Sequence, residues 1–522
     1  MVSISFAPTA APYARPPFSA GWVLAAVLTL AGAIGPAIIW PGDVPFIQDE
    51  PRELSIAFEA NQAHTLAVHG LSGGFPCAYG PLGLHIYQFI LFFTHDPVLI
   101  AAIHGALCST VTAASLLWLA RGLRLNPWFA LAVVFAPYMW LETRRIWVPS
   151  FTIPLSVLAM AAWVWFLRTG SGPALATAVG AAIAPMFIHF QSLPLPAVIL
   201  GHLLWRHRPA LKQHCLPVLA VVGLLAILNF RYMLYVGGTL WQNLGWFVRT
   251  GHAAHASPVE ALLGPLWGGL LFSGGRFPDE VVSPHGPAWI LGAAKFVGSA
   301  AIPLVWLGVA VAAWGQGRRW LARRTRDDAS GDADADPVRE TVLGFVLAGV
   351  AFHMIYVGAL RAPPGPQYVM GTFGMYVLMA WIGTEALARW RLRVLVAGGY
   401  GLAVAGLTLS CLWQVHRDGW TTGTMSPTLA NQAEVARALN QFTDQSAMTD
   451  VPAYYQFQRP FSLCTLRQLL PPQPGGPQRH SGRLVIRYRR GPSGPTGRIE
   501  LIEADPPANA RRMIVEYPLA AE

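Results

Sequence analysis

Long apolar runs alternate with short polar segments along most of the chain. Eleven of the runs approach or exceed the roughly 20 apolar residues that a membrane-spanning helix needs, although 127–141 and 193–205 are shorter than the others. They occupy 21–40, 97–120, 127–141, 150–168, 173–190, 193–205, 214–236, 287–316, 341–360, 368–388 and 394–413. The pattern predicts an all-α polytopic membrane protein with about eleven transmembrane helices.

Basic residues fix the predicted orientation of these spans. With residues 1–20 in the cytoplasm, every predicted inner segment carries Lys or Arg, as the positive-inside rule requires. These segments are 121–124, 168–172, 206–212, 318–339 and 389–393. The apolar stretch Leu82–Thr94 is only about 13 residues long. We interpret it as a juxtamembrane or re-entrant helix, because counting it as a span would invert every later loop. The prediction is a multi-pass protein of the inner (plasma) membrane.

Composition agrees with a membrane location. Hydrophobic residues make up 54% of the chain and charged residues 12%, against about 25% charged in soluble domains. The net charge of +10 comes from short basic clusters between apolar runs, which argues for topology signals and against a nucleic-acid partner. The five cysteines include no Cys-x-x-Cys pair, which excludes a disulfide scaffold and a zinc ribbon.

Three polar segments are predicted outside the hydrocarbon layer, on the extracytoplasmic side. The transmembrane domain at 21–413 contains a first loop at 41–81 and a second at 237–286. A tail at 414–522 has helical spacing at 431–442 and β-type alternation at 482–489, 498–503 and 512–517. This alternation predicts a small α/β domain. Cys77 and Cys464 are the cysteines predicted outside the membrane, and a disulfide between them is an open alternative.

The first loop holds two adjacent carboxylates, Asp49 and Glu50, just after the first span. Pro51 suits the first turn of a helix, and an acidic residue before it suits the cap. Helical geometry then puts Glu53 and Ala57 on one side and Arg52 beside Glu59 on another. An acidic helix start is usually only a cap. A catalytic interpretation gains weight from the rest of the loop, which has a glycine turn at 70–74 and then Tyr79-Gly80-Pro81-Leu82-Gly83.

This order of motifs resembles the C-type glycosyltransferases that use polyprenyl-phosphate sugars. The similarity is to the branch that holds protein O-mannosyltransferases and lipid A aminoarabinose transferases. Asp49-Glu50 and Arg52 match the opening of the family's first loop, and Pro81-Leu82-Gly83 matches its close. Tyr79-Gly80 stands where the family usually has a Lys or His. The resemblance covers roughly residues 20–170.

The resemblance implies an inverting sugar transfer from a polyprenyl-phosphate donor to an extracytoplasmic glycan, lipid or protein. Asp49 would be the general base and Glu50 a supporting carboxylate. The donor phosphate would need outer cations, for which the candidates are Arg144, Arg145, Arg361 and Arg231. Further candidates for contact with substrate are Arg52, His64, Tyr79 and Tyr368. No cofactor is expected; the alternative is a divalent cation such as Mg²⁺ or Mn²⁺ held by Asp49, Glu50, Asp279 and Glu280.

Two other functions compete with this interpretation. A transporter or lipid flippase would have charged residues within its spans and paired repeats, whereas the predicted spans hold few charges and no internal repeat is evident. A non-catalytic partner in envelope polysaccharide assembly would not depend on Asp49. Replacement of that residue therefore separates an enzyme from such a partner.

Overall fold

The computed structural model describes several separate stretches of the chain. The longest of them, 78–239, includes residues 79–83, where the first-loop motif ends. The described residues are 19–47, 49–72, 78–239, 289, 303, 306–318, 336–360, 367–388, 399–418, 420–421, 426–442, 461–470, 484–490, 496–503 and 513–518.

Helices make up most of the described chain. The first eleven are α1 Ala20–Ile39, α2 Asp49–Gln62, α3 Leu82–Leu91, α4 Pro97–Leu123, α5 Trp128–Val134, α6 Pro137–Glu142, α7 Thr152–Thr169, α8 Gly172–Ile183, α9 Pro194–Arg206, α10 Arg208–Gln213 and α11 Cys215–Leu228. They are followed by α12 Phe230–Thr239, α13 at 306–318, α14 Pro337–Leu360, α15 Gln367–Met370, α16 Phe373–Ala388, α17 Gly399–Asp418, α18 Leu429–Phe442 and α19 Phe461–Leu469.

Strands are described only beyond α17. A short antiparallel pair joins β1 Trp420–Thr421 to β2 Ser426–Pro427. A three-stranded antiparallel sheet follows, in the order β3 Leu484–Arg490, β4 Thr496–Glu503 and β5 Met513–Pro518. In its register Tyr488 lies opposite Ile499, and Ile499 lies opposite Val515. These strands fall on the three segments where the sequence shows β-type alternation.

Four of the described helices are long and apolar enough to cross a membrane: α1, α4, Val148–Thr169 around α7, and Pro337–Gly358 within α14. A fifth is added if the bent pair α11 and α12 forms one span. The protein is therefore a multi-pass membrane protein. The larger count of eleven stays a prediction, since part of the predicted spans lies outside the described residues.

Proline and asparagine shorten several of the predicted spans. The run 127–141 is divided into α5 and α6, because a proline ring at position 137 cannot continue a helix. The run 214–236 bends by 70° between α11 and α12. At this bend the Asn229 side chain donates to the Leu225 carbonyl oxygen at 2.8 Å and competes with the backbone ladder. The stretch Leu82–Thr94 forms the ten-residue helix α3, about half the length of a span.

The two largest of three hydrophobic clusters among the described residues organise the bundle. The larger one joins α4, α7, α8 and α16 and encloses the indoles of Trp163 and Trp381. The second joins the loop after α1, helices α2 and α3, the first part of α4, and the two C-terminal helices α18 and α19. Helix α2 enters this second core through Leu54 and Ala57, which follow its acidic first turn.

An ion pair closes the bundle at the end away from this acidic start. The Arg168 guanidinium at the end of α7 binds the Asp336 carboxylate and donates to the Gly122 carbonyl oxygen at 2.8 Å. Asp336 also caps α14 by accepting from the backbone N–H of Val338 at 3.1 Å. The pair brings segments 168–172 and 336–339 to one end of the bundle, as the predicted topology requires.

Close packing of α3 gives a first test of the fold. A Cβ at Gly83 would lie 2.5 Å from Cγ1 of Val148. We expect Gly83→Ala to lower the free energy of unfolding by about 1–3 kcal/mol through overpacking, and Val148→Ala in the same chain to restore most of the loss. Gly201→Ala in α9 is the control, because a Cβ there meets nothing within 4 Å. Thermal unfolding in detergent, followed by tryptophan fluorescence, measures all three; wild-type stability of the Gly83 variant would contradict the packing.

Candidate active site

Helix α2 begins on the acidic pair that the sequence analysis singles out. Asp49 and Glu50 occupy its first turn, where carboxylates favour the positive end of the helix dipole. The two side chains have different environments, since Asp49 is half-buried and Glu50 is completely buried. Asp49 is therefore the member of the pair that keeps some exposure to solvent.

Glu50 is held by an arginine from a distant segment. The Arg145 Nε group donates to the Glu50 carboxylate in an ion pair. The Arg145 guanidinium also lies over the Trp147 ring, 4.7 Å from its centroid, and its Nη1 atom is 3.9 Å from a Glu142 carboxylate oxygen. The guanidinium side chain is 14% exposed, so this cation lies at the edge of the buried cluster.

Glu53 makes the second connection between α2 and this segment. Its Oε2 atom accepts from the backbone N–H of Val148 at 2.7 Å. Glu53 and Ala57 are both buried, so the expected helical face is the one that packs inward. Glu53 has no functional role among the sequence predictions. The available signal was its place on one helix face with Ala57, because a carboxylate on a buried face needs a partner.

The two ends of the first-loop motif meet at Val148. Glu53, near the opening, accepts from the Val148 backbone, and Gly83, at the close, leaves room for the Val148 side chain. Gly80 is also closely packed, since a Cβ there would lie 2.1 Å from the Phe187 carbonyl oxygen. Segment 144–148 is thus the surface on which the opening and the close of the motif pack.

Glu50 and Glu53 form an acidic cluster with Asp49, and burial is the largest cause of the pKa shifts of Glu50 and Glu53. Burial raises the pKa of Glu50, while the charge of Arg145 opposes the shift and that of Asp49 adds to it. Burial likewise raises the pKa of Glu53 well above its usual value, with smaller contributions in the same direction from Asp49 and Glu50. Repulsion between neighbouring carboxylates therefore contributes less to these two pKa shifts than burial does.

A second charge cluster surrounds Arg144. Its side chain is only 1% exposed, donates from Nη2 to the Trp40 carbonyl oxygen, and lies 5.6 Å from the Trp140 ring centroid. Burial lowers the pKa of Arg144 to about 10, and the charge of Asp43 opposes the shift. Arg144 is one of the predicted outer cations, and in the structure its side chain is internal. Its role toward a phosphate stays a prediction.

Asp43 and His416 complete this second cluster. Asp43 Oδ2 is 2.8 Å from His416 Nδ1, and the His416 ring stacks on Trp40 with centroids 5.0 Å apart. Burial raises the pKa of Asp43, opposed by its hydrogen bond with His416. No local pattern could reveal this pair, because its two residues are 373 positions apart.

The remaining candidate residues are dispersed. Arg52 is half-buried in the first turn of α2, and Arg231 is exposed in α12. His64 is exposed beyond the end of α2, about 20 Å along the helix from Asp49, so it is not part of the acidic cluster. Tyr79 stacks on His189 at 4.5 Å between ring centroids.

Several predictions fall outside the described residues. Arg361, Asp279, Glu280 and Cys77 are among these positions, and Tyr368 is described only as part of α15. Within the described stretches, no three His, Cys, Asp or Glu side chains are arranged to hold a metal ion. The metal requirement and the pairing of Cys77 with Cys464 therefore stay predictions.

The fold is similar to that of a protein of known structure. The crystal structure of ArnT from Cupriavidus metallidurans bound to undecaprenyl phosphate matches with a TM-score of 0.50 and covers 87% of this chain and 86% of that one. The chain has the C-type glycosyltransferase fold. The identity is 12%, so the likeness is one of fold, and it extends well beyond residues 20–170. No protein-family profile and no curated protein matches the sequence.

Glu53 offers a direct test of the site within this fold. Glu53→Ala leaves the buried Val148 N–H without an acceptor, which we expect to cost about 1–3 kcal/mol of stability. Glu53→Gln keeps an acceptor oxygen and should unfold close to the wild-type temperature. Glu59→Ala is the matched control, because Glu59 is exposed on another side of α2 and bonds only Ser55 in the described contacts. Equal losses at positions 53 and 59 would contradict the assigned contact.

The pH dependence of stability gives a second readout at the same position. Because the pKa of Glu53 is raised above its usual 4.5, the folded protein binds this proton more tightly than the unfolded chain. The resulting stability is fully present below pH 4.5 and declines as the pH rises through the folded-state pKa. Unfolding temperatures should therefore shift in favour of Glu53→Gln relative to wild type as pH rises; a constant difference would contradict the raised pKa.

Proposed function

We propose that the protein is an integral membrane glycosyltransferase that takes a sugar from a polyprenyl-phosphate donor. The acceptor would be a glycan, lipid or protein on the extracytoplasmic side of the inner membrane. Support comes from the fold shared with ArnT, whose crystal structure contains undecaprenyl phosphate. The observation that carries the proposal to a site is the half-buried Asp49, which starts α2 beside the buried pair of Glu50 and Arg145.

Asp49 is the proposed general base. Its carboxylate takes the proton of the acceptor hydroxyl as the hydroxyl oxygen attacks the anomeric carbon. The bond from that carbon to the phosphate oxygen breaks, and polyprenyl phosphate leaves with the bonding electrons, which inverts the anomeric centre. Glu50 and Glu53 are less suited to this role, because both are buried and hold Arg145 and Val148 respectively. Glu50 supports the base by fixing Arg145 beside it.

Arg145 is the proposed ligand of the donor phosphate. Its guanidinium has a fixed Nε contact with Glu50, which directly follows Asp49 in the first turn of α2, and it is partly exposed. An arginine fork suits a phosphate because it can donate two parallel hydrogen bonds. Arg144 adds a buried positive charge next to it, and Arg361 and Arg231 are further candidates for the phosphate. Arg52, Tyr79 and Tyr368 stay candidates for contact with the sugar or the acceptor.

The orientation of the chain and its cofactor requirement are also part of the proposal. The N-terminus lies in the cytoplasm, and the tail at 414–522 is an extracytoplasmic α/β domain. The reaction needs no metal or other cofactor, with a divalent cation as the alternative.

The two competing functions predict different results for replacement of Asp49. In a transporter the replacement would change the rate of substrate movement, and neither wild type nor variant would transfer a sugar. In a non-catalytic assembly partner it would change little.

Replacement of Asp49 tests the proposed base. Asp49→Asn keeps the shape of the side chain but removes its basicity, and we expect turnover to fall by roughly 10²–10⁴. Purified protein in lipid nanodiscs would be assayed with a panel of polyprenyl-phosphate sugars and candidate acceptors. Glu59→Gln, on the exposed side of the same helix, is the matched control and should keep wild-type turnover. Normal turnover in Asp49→Asn would refute the proposed base.

Replacement of Arg145 tests the proposed phosphate contact. Arg145→Ala would leave Glu50 buried without its partner, so stability would fall by about 3–5 kcal/mol. Arg145→Lys keeps the charge but loses the planar fork, and the double variant Arg145→Met with Glu50→Gln removes both charges together. We expect both to bind undecaprenyl phosphate at least tenfold more weakly than wild type while remaining folded. Unchanged binding by the folded variants would exclude Arg145 as the phosphate ligand.

A further inference from the structure

The C-terminal helix α18 contacts the segment that leads from α1 to the acidic pair. Its first residues donate backbone N–H groups to that segment: Leu429 to the Val44 carbonyl oxygen at 2.9 Å, and Ala430 to the Gly42 carbonyl oxygen at 3.0 Å. The first N–H groups of a helix have no partner within the helix. Here the carbonyls of the first loop supply that partner, so the helix end and the loop fix each other.

Gly42 is required by the closeness of this contact. A Cβ at Gly42 would lie 2.6 Å from the Cβ and 3.1 Å from the Cα of Ala430. Real side chains do not approach so closely, and the backbone of Ala430 cannot yield without moving α18. A single added methyl group at position 42 would therefore push the loop and the tail helix apart.

Helix α19 makes a second contact, directly at the acidic turn. The Thr465 hydroxyl donates to the Pro51 carbonyl oxygen at 3.1 Å, and Thr465 is buried. Pro51 lies two residues after Asp49 and on a different side of α2 from Glu50 and Glu53, because successive helical residues turn by about 100°. The tail and segment 144–148 thus hold the same helix turn from different sides.

The two tail helices act as one unit in this contact. Asn440 on α18 donates to the Arg467 carbonyl oxygen at 3.0 Å, and Arg467 Nε on α19 donates to Asn440 Oδ1 at 2.8 Å. Both helices share a hydrophobic core with α2 through Leu429, Ala433, Leu466 and Leu469 packed with Leu54 and Ala57. A shift at either contact is therefore transmitted to the start of α2.

We propose that α18 and α19 position Asp49 for the transfer reaction, with Gly42, Ala430 and Thr465 as positioning residues. The inference rests on the proposed function. It makes this part of the tail a component of the catalytic unit. The carboxylate of a general base must be held in place to act, and a displacement of about 1 Å can cost roughly 10²-fold in rate. The tail contacts supply that constraint from the side that Arg145 does not reach.

The test introduces a steric clash at position 42 and then relieves it at position 430. Gly42→Ala should lower kcat by roughly 10–10²-fold with little change in the KM for the donor. Adding Ala430→Gly should restore most of the lost turnover, because it removes the 2.6 Å contact with the Ala430 Cβ and leaves the milder 3.1 Å approach to its Cα. Gly35→Ala is the matched control, since a Cβ there meets nothing within 4 Å. Independently, Thr465→Val should lower kcat, whereas Thr465→Ser, which keeps the donor, should not.

Hydrogen exchange over residues 43–62 gives a readout that does not depend on transfer. Gly42→Ala should speed exchange there, and the double variant should return it to the wild-type rate. Faster exchange with unchanged turnover would overturn the positioning role and leave the proposed function standing, as would wild-type exchange and turnover in both Gly42→Ala and Thr465→Val. Wild-type turnover in Asp49→Asn would overturn the proposed function and this inference with it.

Discussion

The buried contact between Glu50 and Arg145 is the interaction on which the arrangement of the site depends. Removing a carboxylate and a guanidinium from water costs several kcal/mol for each ion, so the pair persists only where its geometry is held by neighbours. Glu53 supplies one such restraint through the Val148 backbone, and Gly83 supplies another by admitting the Val148 side chain. These contacts place Asp49, one residue before Glu50, at the edge of this ion pair. Residues other than Asp49 hold the pair together.

The neighbouring residues Arg144 and Arg145 interact with different carboxylates, and their short segment therefore connects several parts of the fold. Arg145 binds Glu50 at the start of α2, while Arg144 binds the end of α1 through Trp40 and interacts with Asp43, which in turn contacts His416 at the end of α17. Segment 144–148 therefore links the first span and the first loop, and through Asp43 it is connected to helix α17. The C-terminal helices α18 and α19 pack on the same loop, so these two helices and α2 belong to one hydrophobic core.

Local sequence patterns predicted the features that depend on neighbouring residues. The start of α2 at the acidic pair, the shared helix face of Glu53 and Ala57 and the short helix α3 all agree with helix periodicity and proline chemistry. The contacts of Arg144 and Arg145 could not be predicted in this way, because burial depends on which distant segments pack together. Arg144 lies beside Arg145 in the chain, yet one is internal and the other is partly exposed. The contact of Asp43 with His416 and the docking of α18 on Gly42 were unpredictable for the same reason.

The most direct measurement is a structure of the protein in lipid nanodiscs with undecaprenyl phosphate bound. We expect the phosphate to lie in hydrogen-bond contact with Arg145, on the side of α2 from which the Asp49 carboxylate can reach an acceptor hydroxyl. A phosphate bound at the opposite end of the bundle, near Arg168 and Asp336, or bound away from α2 altogether, would contradict this expectation.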